Sequence, residues 1–116
     1  MSWLATVTEE RHGDLPIAVI DGEIDASNAI EIADRLRQLL TNRSTALVVD
    51  LTRTSYLDSA GINLLFELGT ELRDRQQQLH LVVGPKEPIA RAISLTGLDA
   101  AVPAHATREA AIEHAG

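Results

Sequence analysis

Residues 46–61 read Ala46-Leu47-Val48-Val49-Asp50-Leu51-Thr52-Arg53-Thr54-Ser55-Tyr56-Leu57-Asp58-Ser59-Ala60-Gly61. The first six are apolar except for Asp50. A short continuous apolar run of this kind suits a central strand covered on both faces. From about Ser59 to Arg75 the pattern turns helical, with Ile62, Leu65, Leu68 and Leu72 as the core stripe. A buried strand leading through a short loop into an amphipathic helix is the repeating unit of an α/β sheet.

The reading extends outward in both directions. Trp3 to Thr8 and Pro16 to Ile20 are β-prone runs, and the turn signal His12-Gly13-Asp14 between them predicts an antiparallel hairpin. Asp21-Gly22 is expected to end the second strand. Asn28 to Leu40 is helical, with Ala29, Ile32, Ala33, Leu36, Leu39 and Leu40 on one face and Ser27 or Asn28 as its cap. Beyond the opening stretch, Leu79 to Val83 reads as a strand. Pro88 opens a third helix ending near Gly97. Leu98 to Val102 reads as a short final strand, and Thr107 caps a last helix, Arg108 to Ala115. The expected order is β-β-α-β-α-β-α-β-α. That is an α/β fold with a mixed, mostly parallel sheet opened by a β-hairpin, with about four helices. Residues 1–116 fit one domain.

Composition narrows the function. The chain is 45% hydrophobic and 23% charged, too apolar for a disordered segment. Its net charge is −7, from 17 acidic and 10 basic residues, with no basic block to neutralise phosphates. No nucleic-acid partner is expected. The absence of Cys removes disulfides, thiolate metal sites and cysteine nucleophiles. No run approaches the ~20 apolar residues of a membrane span. Met1 to Glu10 lacks the basic start of a signal peptide, so no membrane contact and a cytoplasmic location are expected. Asn42-Arg43-Ser44 matches a glycosylation sequon and is read as chance. His12, His80, His105 and His114 show no metal-ligand spacing, so no metal or other cofactor is expected. Nucleotide and hydrolase motifs are missing, and no nucleophile–base pair is evident.

Three features bear on chemistry. Ser59 falls at the start of a helix, where free N–H groups and the macrodipole favour an anion, so the fold would tolerate a phosphate there. Helix capping by Asp58 or Ser59 accounts for the same residues. Asp21, Glu23 and Asp25 follow the second strand. If that strand neighbours Ala46–Leu51 in parallel, these three and Asp58 would surround Ser59 as an acidic rim. A solvated acidic turn is the competing reading. Finally, the start of the second helix is apolar nearly all round, with Ile62, Leu64, Leu65, Phe66 and Leu68. Leu64 falls off the core stripe and is expected to be exposed beside Ser59, marking a protein-binding patch, while Phe66 is assigned to the core.

These residues resemble the STAS domain, the fold of bacterial anti-sigma factor antagonists. Gly22-Glu23-Ile24-Asp25 is similar to the family's G-E-[LI]-D. Leu47 to Leu51 followed by Tyr56 to Gly61 is similar to its strand and D-S-x-G loop. Pro88 to Leu98 is similar to its third helix with a terminal T-G-L. The resemblance implies a regulatory binding protein and not an enzyme. It implies phosphorylation of Ser59 by an anti-sigma factor that is a GHKL-type serine kinase, and reversal by a PP2C-type phosphatase. By the resemblance Asp25 and Asp58 would lie at the site, to which the acidic rim read above adds Glu23 and Asp21. Ala60, Gly61, Ile62, Asn63 and Leu64 would contribute to partner binding. Many members carry Ser or Thr where this chain has Ala60. The alternative within the same family is a scaffold subunit of a stressosome or lipid-transport complex, without a phosphorylation cycle.

Overall fold

The computed structural model describes residues 4–41 and 43–115, so Trp3 of the expected first strand and Asn42 of the sequon lie outside it. Strands β1 (Ala5–His12) and β2 (Leu15–Ile24) form the expected hairpin, closed by Gly13-Asp14 with Gly13 at φ 63°. The chain continues through α1 (Ala29–Leu39), β3 (Ala46–Asp50), β4 (Thr54–Leu57) and α2 (Ser59–Asp74). It ends with β5 (Gln78–Val82), α3 (Pro88–Thr96), α4 (Leu98–Ala101), β6 (Ala104–His105) and α5 (Arg108–Ala115). The sheet order is β1-β2-β3-β5-β6, and β4 also pairs with β2. Every pairing except β1 with β2 is parallel.

Three expectations need correction. β2 does not end at Asp21-Gly22 but runs to Ile24. Gly22 permits this by adopting φ 124°, where a side chain would collide with the Leu4 carbonyl. Thr54–Leu57 is a strand where a loop was expected. Four residues of mixed polarity give no period to read, and what makes them a strand is the free half of β2. Last, Leu98–Ala101 is a helix, which raises the helix number from about four to five. Gly97, left-handed at φ 79°, ends α3 and starts α4, and the final strand is the shorter Ala104–His105.

Side chains alternate across the sheet, so each strand supplies two layers. Ala18, Ile20, Leu47, Val49, Leu79 and Leu81 face α1–α4 and form the main core with Leu36, Leu65, Leu68, Leu72 and Ile93. On the opposite face Ile17, Val48 and Val82 meet Ala111 of α5. The same alternation places Asp50 beneath α5. It is 4% exposed and ion-paired with Arg108 at 2.8 Å, while Arg108 also reaches Glu10.

Candidate functional site

The position of the site follows from β2 having two successive partners. Ile17–Val19 pair with Val48–Asp50 of β3, and Gly22–Ile24 pair with Thr54–Leu57 of β4. Thr54 anchors the second register, its buried hydroxyl donating to the Ile20 carbonyl at 2.9 Å. Both β2 and β4 therefore end at one corner of the molecule. There the Asp58 N–H donates to the Ile24 carbonyl at 3.3 Å, which sets Asp58 beside Asp25.

Asp58 is the cap of α2. Its Oδ1 accepts from the Ala60 and Gly61 amides at 2.9 and 3.2 Å, satisfying two of the free donors at the helix start. The capping role thus falls to Asp58, and the neighbouring Ser59 is left exposed as the first residue of the helix. Asp25 is held by its own loop. Its Oδ1 accepts from the Ser27 hydroxyl at 2.5 Å and the Ser27 amide at 2.8 Å. These bonds, the hydroxyl first, hold the Asp25 carboxyl below the usual carboxylate range.

Sequence reading offered Ser27 or Asn28 as the cap of α1; Asn28 takes the cap position, but its side chain makes no capping bond. Asn28 is 1% exposed. Its Oδ1 accepts from the Asp25 amide at 2.9 Å and its Nδ2 donates to the Glu23 carbonyl at 2.8 Å. The two bonds clamp the backbone on either side of Ile24 and fix where Asp25 emerges. The available signal was an Asn three residues after Asp at a strand-to-helix corner, which also reads as ordinary capping.

The acidic rim is smaller than expected. Asp25 and Asp58 share the corner with Ser59. Asp21 does not join them: it lies level with Arg53, five residues before Asp58, and pairs with that guanidinium at 3.6 Å. Glu23 is exposed on β2 opposite Tyr56, between the two positions.

The expected partner residues divide by direction. Asn63 is exposed and Ala60 half-buried. Gly61 and Ile62 turn inward, and a side chain on Gly61 would collide with Leu57 and press on Ile24. Leu64, expected to be exposed, is 6% exposed and belongs to the core. The physical reason is that α2 packs on the sheet and also against α1, so a second apolar stripe is covered. Arg37 of α1 ties the two helices by a two-point contact with Glu71, at 2.8 and 2.9 Å. Leu64 becomes the floor of a shallow groove between α1 and α2, rimmed by Ala26, Ile30, Ala60, Asn63 and Glu67. Ile30 stands 78% exposed on its edge, and nothing in the helical period of α1 had marked it.

The arrangement is thus an exposed hydroxyl at a helix N-terminus, two carboxylates, and an apolar groove alongside. The STAS domain model matches residues 6–111. The chain belongs to the STAS family. This STAS domain is 32% identical over 90 residues to the anti-sigma-B factor antagonist of Listeria monocytogenes, covering 78% of each chain. It is 32% identical over 94 residues to the anti-sigma-F factor antagonist RsfB of Mycobacterium tuberculosis, covering 81% of this chain and 75% of that one. Among solved structures, an anti-sigma factor antagonist from Mycobacterium paratuberculosis superimposes with a TM-score of 0.84 at 28% identity, over 96% of this chain and 93% of that one. The mixed sheet with its helices is the STAS fold, as the three sequence motifs led us to expect. No helix of the described residues is long and apolar enough to cross a membrane.

Proposed function

We propose that this STAS domain is an anti-sigma factor antagonist. It binds an anti-sigma factor of the GHKL serine-kinase type and thereby frees a sigma factor. Phosphorylation of Ser59 breaks the complex, and a PP2C-type phosphatase restores it. The reading is of a regulatory binding module in the cytoplasm, without catalysis of its own.

The observation that carries this reading is the exposure of Ser59 at the first residue of α2, with capping already provided by Asp58. The hydroxyl is free for modification without loss of the helix start. A phosphate there adds about two negative charges, which the helix N-terminus tolerates within the fold. At an interface closed over Asp25 and Asp58 the same charge is repelled and costs desolvation. The names of the 32%-identical relatives support the antagonist role. The groove between α1 and α2, with Ile30 on its rim and Asn63 and Glu67 beside it, supplies an apolar floor for the partner.

Incubation of the chain with ATP and the kinase-type anti-sigma factors of its own cell, followed by mass spectrometry, tests the switch. The expected result is one phosphate on Ser59, reversed by a PP2C-type phosphatase. A chain that binds its partner and never carries phosphate on Ser59 would instead be a scaffold subunit.

A further inference from the structure

Among the described residues α5 is the one helix on its face of the sheet. It has eight residues, fewer than the roughly 12–15 an isolated helix needs in water. Its helicity therefore depends on docking, yet Ala111 is its only fully buried residue. Polar contacts at the two ends complete the attachment. At the first turn Arg108 bonds Asp50 and Glu10. At the other end, three histidines far apart in sequence meet in a row. His114 of α5 lies on His105 of β6, and His105 lies on His80 of β5, with ring centroids 4.9 and 5.2 Å apart.

With His80 and His105 neutral, the hydrogen bonds set which nitrogen of each donates. Gln78 Oε1 accepts from His80 Nε2 at 3.0 Å, so His80 Nδ1 is the bare nitrogen. His105 Nε2 donates to it at 3.0 Å. His114 Nδ1 donates to the Ala110 carbonyl at 2.8 Å. A second proton on His80 would require His105 Nε2 to give up its own and accept instead. The rings stack instead of converging on a common point, and the described residues hold no group of three ligands fit for a metal ion.

The surroundings do little to compensate a positive charge. His80 is 3% exposed and lies opposite the apolar Val48 of β3. Asp50, further along the same face of β3, is already engaged by Arg108 and Thr52. Glu10 of β1 is engaged by Arg108. On α5 itself Glu109 and Glu113 are exposed, and Glu113 lines a separate hollow with His12, Asp14 and Arg43. Burial, then His105 and His114, hold His80 below the ordinary imidazole value. Burial, then His114, does the same for His105.

We propose that His80, His105 and His114 form a proton-operated latch, which docks α5 on the sheet when the rings of His80 and His105 are neutral and releases it when these two charge. The sign follows from linkage. The docked state binds protons less readily than the undocked one, so docking is full above the ordinary imidazole value of 6.5 and weakens as pH falls below it. Release uncovers Ile17, Val48 and Val82, an apolar strip on the opposite face from the groove beside Ser59.

Amide hydrogen exchange on the full chain, corrected for intrinsic pH dependence, reads the latch directly. Between about pH 7.5 and about pH 5.5, protection in α5 should fall about tenfold or more, with α2 unchanged within about twofold. Replacing both shifted rings, His80→Gln together with His105→Gln, should cut the α5 change to less than about threefold. His12→Gln, outside the row, should leave it intact. Constant protection of α5 in the parent chain, a loss in α2 of the same size, or full pH dependence in the doubly replaced chain would each overturn the latch. None of these outcomes depends on Ser59 or on a partner.

Discussion

The amide of Asp58 donates to the carbonyl of Ile24, and this one bond at 3.3 Å brings two distant motifs to a single corner. Everything proposed for Ser59 rests on that junction. The first prediction tests it by charge. Ser59→Asp adds a carboxylate beside Asp25 and Asp58, whereas Ser59→Ala removes only the hydroxyl. Calorimetric titration against the purified anti-sigma partner should show Ser59→Asp weakened about 10- to 100-fold, or about 1.4–2.7 kcal/mol. Ser59→Ala should bind like the parent. Equal affinities for all three would sink the charge mechanism.

Asp58→Ala removes the acceptor for the Ala60 and Gly61 amides. Loss of an N-cap costs roughly 0.5–2 kcal/mol, and Asp58→Asn should recover most of it. Urea unfolding of the three proteins decides the matter. No difference between Asp58→Ala and the parent would mean that Ser59, or water, caps the helix.

Asn28→Ala deletes both bonds that clamp the backbone around Ile24 and leaves the Glu23 carbonyl and Asp25 amide to find other partners. The expected cost is about 1–3 kcal/mol. Unlike a core deletion, it should also raise hydrogen exchange at Asp25 to Ser27 before any global change. A uniform increase across the chain would speak against a local clamp.

Arg108→Ala leaves the buried Asp50 carboxylate with Thr52 alone. We expect a loss of about 1.5–3 kcal/mol in denaturant unfolding at neutral pH. Burial raises the Asp50 carboxyl, but bonds from Thr52 and Arg108 outweigh it and hold the group below its ordinary 3.8. The stabilisation it gives is therefore present above that value and is lost as pH falls through the lower, folded-state value. In Arg108→Ala that acid limb should begin at higher pH. An identical acid profile in the two proteins would contradict the assignment.

Much of this was legible in advance, and what was not has a common cause. The hairpin, β3, α2, β5 and the helix starts at Pro88 and Thr107 are written in local period and capping. β4 is not, because Thr54–Leu57 becomes a strand only when the far half of β2 is there to pair with it. The burial of Leu64 depends on α1 leaning against α2, a tertiary fact. Leu98-Asp99-Ala100-Ala101 is too short to show a period and suits either state, and the left-handed Gly97 decides for helix. At the proposed site, Ser59, Asp25 and Asp58 could be singled out because each is part of a motif. Asp21 was overcounted because closeness in sequence to Asp25 is not closeness in space along an extended strand. The histidine row left no trace, since positions 80, 105 and 114 share no period.

The irregular step between β2 and β4 has a last consequence. Gly22 faces Thr54 but Glu23 faces Tyr56, so Ser55 is an extra residue on its strand. Thr54 and Leu57 both point inward although three residues apart, a spacing that a regular strand would send to opposite sides. The extra residue is what lets them share a side across that spacing. Deleting Ser55 would leave Thr54 and Leu57 two residues apart, where a regular strand also points both inward. Ser55 is thus a local kink and not a requirement of the core, and its loss should cost far less than the loss of Leu57 itself.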